Sequence, residues 1–76
     1  MNSAQGVRLL ILRLLKEKGD SANKMLIELG FNQSLLTDMS RKNSMPSADK
    51  LGFIAQYLDV SIDYLLGRTD NPNVNR

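Results

Sequence analysis

SANKMLIELGFNQSLLTDMSRKNSMP, residues 21–46, is the stretch whose reading decides the fold. Met25, Leu26 and Leu29 recur at i, i+1 and i+4, and Leu35, Leu36 and Met39 repeat that spacing. Each run predicts a short amphipathic helix, one over residues 22–29 and the next over 33–41. Gly30 falls where the first must stop and the chain must turn, a position suited to a residue that takes positive φ. Asn32 then offers a side-chain oxygen to the amides that open the following helix. Two short helices joined over three or four residues, one of them glycine, describe a helix-turn-helix.

The outward face of the second helix carries Gln33, Ser34, Thr37, Asp38 and Arg41. Amides and hydroxyls at the first turn of an exposed helix suit the edges of base pairs: an amide can bridge adenine at two atoms, and a hydroxyl can donate or accept. The same residues equally suit a merely solvated face. Arg41, Lys42, Asn43 and Ser44 follow as a polar loop fit for phosphate contacts, which position a protein on a duplex without reading it. An ordinary hydrophilic connector would look alike.

Working outward, residues 7–18 predict an earlier helix with Val7, Leu10, Ile11, Leu14 and Leu15 on one broad core-facing side. Leu9 and Leu12 fall among charges on the far side, either as scattered surface leucines or as a patch that docks a second copy or another protein. Gly19 ends this helix after Lys16 and Lys18, whose charges complement its negative end. Ser21 is the expected N-cap of the next. Downstream, Pro46 keeps Met45 extended and Ser47 caps a helix over 48–58 whose buried stripe is Leu51, Ile54, Ala55 and Leu58. Asp59 and Val60 form a tight link, Ser61 caps a last helix over 62–66, and Gly67 closes it. The expectation is an all-α, five-helix domain over residues 1–67 with a mobile tail over 68–76.

Composition narrows the function classes. The chain has 76 residues, enough for one small domain, and neither cysteine nor histidine. Disulfides and thiolate metal sites are therefore absent, along with the commonest general base. An enzyme would need paired carboxylates or a desolvated lysine, and the acidic residues sit mostly at helix ends where capping and dipole effects explain them. No cofactor is expected. The net charge of +2 permits nucleic-acid binding without arguing for it. No apolar run approaches the roughly 18 residues of a membrane span, and residues 1–8 lack the order of a secretory signal, so a cytoplasmic location is expected.

The stretch GFNQSLLTDMSRKNSMPSADKLGFIAQYLDVSIDYLLGRTDNP, residues 30–72, resembles the second half of a lambda-repressor-like domain, the Cro and phage-repressor type of the XRE family. The resemblance runs over about residues 7–67. Its most telling parts are LDVSIDYLLGRTDNP, residues 58–72, and MPSADKL, residues 45–51. It implies that the third helix is a recognition helix entering the major groove. On that footing Gln33, Ser34 and Thr37, with Asp38 beside them, match base-contacting positions. Asn32, Arg41, Lys42 and Asn43 match phosphate-contacting ones, and the amides from Ser21 to Asn23 would hold a further phosphate. Leu36 and Met39 match buried positions. Three departures stand out. Ala22 replaces a frequent glutamine, Leu26 stands where alanine is usual, and Asp38 brings negative charge to the groove face.

The resemblance implies a sequence-specific regulator of transcription, a repressor bound to double-stranded DNA as a homodimer on a near-palindromic operator. It also implies a bacterial or phage-encoded chain that joins the nucleoid when bound. Candidate dimer surfaces are Val60, Ile62 and Tyr64 on the last helix, and the Leu9 and Leu12 patch. The alternative keeps the fold as a protein-interaction module, antitoxin-like or an adaptor, docking a partner through Leu9, Leu12, Phe53 and Tyr57.

Overall fold

A serine stands at the N-cap of each of the five helices, and in four of them its side chain does the capping. In the computed structural model, which describes residues 2–73, the elements are α1 (Ala4–Lys18), α2 (Ala22–Leu29), α3 (Leu35–Arg41), α4 (Ala48–Leu58) and α5 (Ile62–Leu65), with no strand among the described residues. Ser3, Ser21, Ser47 and Ser61 take extended backbone angles, and each Oγ accepts from the amide three residues on, at Gly6, Lys24, Lys50 and Tyr64. Such a cap contributes about 1 kcal/mol by satisfying an amide that has no helical partner. The five expected helices are all present.

The first helix begins at Ala4, three residues before the expected start. Ser3 caps it, and the preceding Asn2 is tied down: its N–H donates to Leu66 O at 2.7 Å and its Nδ2 to Leu65 O at 3.2 Å. Those bonds satisfy carbonyls at the end of α5 and hold the N-terminal turn against it, so Ala4 is buried. The apolar stripe alone, which starts at Val7, does not report this.

α1 is the element on which α3, α4 and α5 pack, while α2 packs on α4. Val7, Ile11 and Leu15 of α1 are buried with Met25, Leu26, Leu36, Met39, Leu51, Ile54 and Leu65 in one core. Because three helices lie around α1, more of its circumference is covered than one stripe. Leu12, expected on the far side, is half-buried against the core, whereas Leu9 remains exposed. Leu26 is buried at 2% exposure, so the leucine is accommodated within the core.

Val60 corrects a second expectation. It is buried, since its N–H bonds back to Ala55 O across the turn after α4 and carries its side chain inward. It therefore has no place on a docking surface. The residue before it, Asp59, ends α4 at φ 58°, the left-handed conformation more often given to glycine. Tyr64 is half-buried, and its hydroxyl accepts from Arg13 Nη2 at 3.1 Å.

Past Gly67, the Ser61 N–H at the opening of α5 donates to Pro72 O at 3.0 Å. Residues 74–76 of the expected tail, like Met1, lie outside the described residues. No helix among the described residues is long and apolar enough to cross a membrane.

Candidate nucleic-acid interface

α2 and α3 meet through a turn that Gly30 makes possible. At φ 72° it is left-handed, and the chain closes behind it with Phe31 N–H donating to Leu26 O at 2.9 Å. Phe31 then packs edge-on to Phe53 of α4, ring centres 6.4 Å apart, with Lys50 Nζ 6.0 Å from the Phe31 ring. The turn is thereby anchored to α4, and the start of α3 is set relative to the core.

α3 differs from the other helices at its N-terminal end. It begins at Leu35, so Gln33 and Ser34 stand in the turn ahead of it and not in its first turn as expected. Ser34 makes no side-chain cap of its own. The oxygen comes from Asn32, whose Oδ1 accepts from Ser34 N at 2.9 Å, while Asn32 O accepts from Leu35 N at 3.0 Å. Asn side chains readily make this local bond two residues on, and it competes with extending the helix backwards. The oxygen expected of Asn32 is there, but it stabilises a turn that delays the helix.

Leu35, Leu36 and Met39 face the core, which leaves the opposite side of α3 to solvent. Gln33, Thr37 and Arg41 are exposed there, with Ser34 and Asp38 half-buried beside them. The Ser34 hydroxyl lies 2.9 Å from Asn32 Oδ1 and 3.3 Å from Asp38 Oδ2; its one hydrogen serves one of them at a time. Asp38 Oδ1 faces Lys42 Nζ at 3.9 Å, an exposed pair of little energetic weight. Arg41 at the end of α3 and Lys42 and Asn43 beyond it are exposed, and Asn43 turns the chain at φ 50°.

A cleft of about 320 Å³ separates the start of α3 from the loop leading into α4, with Asn32, Ser34 and Asp38 on one wall and Ser47 and Lys50 on the other. Lys50 is the cation that sequence reasoning overlooked. Its distance from the Ser47 cap was the available signal, since three residues past the cap lies in the first turn, beside the loop. At the start of α2, Ser21 and Asn23 are exposed, and the Ser21 Oγ is occupied by Lys24 N. The first amides of α2 have no acceptor within the helix. No group of three or more acidic, His or Cys side chains among the described residues converges on a metal position.

The chain is 35% identical over 63 residues to a Bacillus subtilis (strain 168) protein named "Uncharacterized HTH-type transcriptional regulator YobD", an overlap of 82% of this chain and 56% of that relative. The chain thus spans about half the length of the curated relative it matches. No family model matches the chain. No solved structure matches it either.

Proposed function

We propose that this chain is a sequence-specific double-stranded DNA-binding unit of a transcriptional regulator. One observation carries the reading: Thr37 and Arg41, with Gln33 in the turn ahead of them, stand open on one side of a short helix whose other side is locked into the core. Had those side chains been covered by the molecule's own interior, no groove could reach them. The similarity to a named helix-turn-helix regulator supports the same reading.

α3 enters the major groove with its N-terminal end toward the bases, Gln33, Ser34, Thr37 and Asp38 meeting base edges. Asn32, Arg41, Lys42 and Asn43 meet phosphates on one wall of the groove. Ser21, Asn23 and the opening amides of α2 meet the other. The action is repression by occupancy of an operator in the cytoplasm, without a chemical step. Two copies bind a near-palindromic site whose half-sites lie about one helical turn apart. Leu9, Ile62 and the edge of Tyr64 are the docking surface between them, since Val60 is buried and Leu12 largely covered.

A footprinting or mobility-shift assay on DNA flanking the encoding gene tests this. The expected result is salt-sensitive binding whose sequence preference weakens in Gln33→Ala and Thr37→Ala. Absence of binding to that DNA at low salt overturns it. A second reading, a protein-interaction module of the same fold, draws on exposed Phe53 and Ile62, which border a shallow groove between α4 and α5. A stoichiometric partner retained through purification, together with absent DNA binding, would favour it.

A further inference from the structure

We propose that Asp38 makes the interface select a C·G base pair, its Oδ1 accepting from the cytosine amino group; the inference rests on the reading of α3 as the helix that enters the groove. The carboxylate is open but not loose. Its side chain is 38% exposed, and Ser34 Oγ lies 3.3 Å from Oδ2, its hydrogen shared with Asn32 Oδ1 at 2.9 Å. Oδ1, by contrast, has Lys42 Nζ at 3.9 Å, longer than a hydrogen bond. Oδ2 thus shares the Ser34 hydrogen with Asn32, and Oδ1 keeps its acceptor capacity.

A carboxylate can only accept. In the major groove guanine shows two acceptors, thymine an acceptor and a methyl group, and adenine an acceptor beside its donor. Cytosine alone offers a donor with no acceptor on the same edge. Asp38 is therefore attracted by one base and repelled to different degrees by the other three, so it discriminates partly by rejecting wrong sites. The same charge opposes phosphate. Lys42, four residues on and just past the end of α3, can leave its loose pairing with Asp38 for a phosphate when the helix docks, which offsets that repulsion. Asp38 thus weakens binding to random sequence while sharpening choice among sequences.

The test is selection from a pool of randomised duplexes with the full chain and with Asp38→Asn, each checked by thermal melting to be folded. The wild type is expected to enrich cytosine at one column of each half-site, and replacing that pair lowers affinity about fivefold or more. In Asp38→Asn that column alone shifts, toward adenine, which an amide can bridge, and affinity for random duplex rises. A cytosine column unmoved by Asp38→Asn overturns the inference and leaves the DNA-binding reading standing. Loss of every column together overturns it too, by making Asp38 a brace for the turn. No enriched sequence with the wild type overturns both.

Discussion

The Tyr57 hydroxyl donates to Asp20 Oδ2 at 3.2 Å, joining α4 to the residue just ahead of the Ser21 cap. Lys24 Nζ holds the other oxygen at 3.2 Å, and Lys18 Nζ lies 5.8 Å from the Tyr57 ring. The entry to α2 is thereby referenced to α4, the same helix that anchors the α2–α3 turn through Phe53. The hydrogen bond from Lys24 holds the Asp20 carboxyl below its ordinary 3.8, against an opposing desolvation and with the Tyr57 bond assisting. A depressed folded value means that this contribution is fully present above 3.8 and is lost as pH falls through the lower folded value. Asp20→Asn should therefore melt below the wild type at pH 6, and the gap should close in acid. At the other end, burial and then the Asp20 bond push Tyr57 up to about 12. Its contribution is present below 10.0 and fades as pH rises through that raised value, so Tyr57→Phe should lose its deficit in strong alkali. Thermal melts across pH check both; parallel curves at every pH would refute the pairing.

Leu26 is the second test. At 2% exposure in the core, its truncation removes buried methyl groups and leaves a cavity. Leu26→Ala should cost about 2–5 kcal/mol, a large share of a small domain's stability, measured by urea unfolding. A variant as stable as the wild type would mean that α2 closes onto α4 without the leucine.

Gly30 separates backbone strain from crowding. A Cβ built there meets nothing within 4 Å, so only the φ of 72° opposes a side chain. Gly30→Ala should cost about 1–2 kcal/mol. Gly30→Asn should cost less, because asparagine tolerates the left-handed region. Equal stabilities across the three would show that the turn relaxes to another conformation.

Thr37 and Lys42 divide base from phosphate contacts. Both are exposed, and replacing Thr37 with alanine should leave stability within about 0.5 kcal/mol. On a selected site, Thr37→Ala should lose roughly tenfold in affinity and blur one position. Lys42→Ala should weaken all sequences alike and lower the salt slope by about one. Titrations at several salt concentrations distinguish them, and exchanged phenotypes would reverse the roles assigned.

Much of this fold is written locally. The serines at positions 21, 47 and 61 and the stripes of α2 and α4 state their helices within a few residues, because capping and periodicity are short-range effects. The αL turn at Gly30 is stated likewise. Other features needed the whole molecule. Ala4 joins the core because Asn2 bonds to the end of α5, over sixty residues away. Leu12 and Val60 are covered because of what packs around them, which no period along one helix reveals. The start of α3 turned on a competition between helix propagation and the Asn32 turn, and that turn won where Leu35 met the core. The candidate site has the same division. Gln33, Thr37 and Arg41 were legible as a polar face, and the Ser34 contact with Asp38 is local to the start of α3, but Lys50 comes to face them across the cleft only when α3 and α4 are brought together.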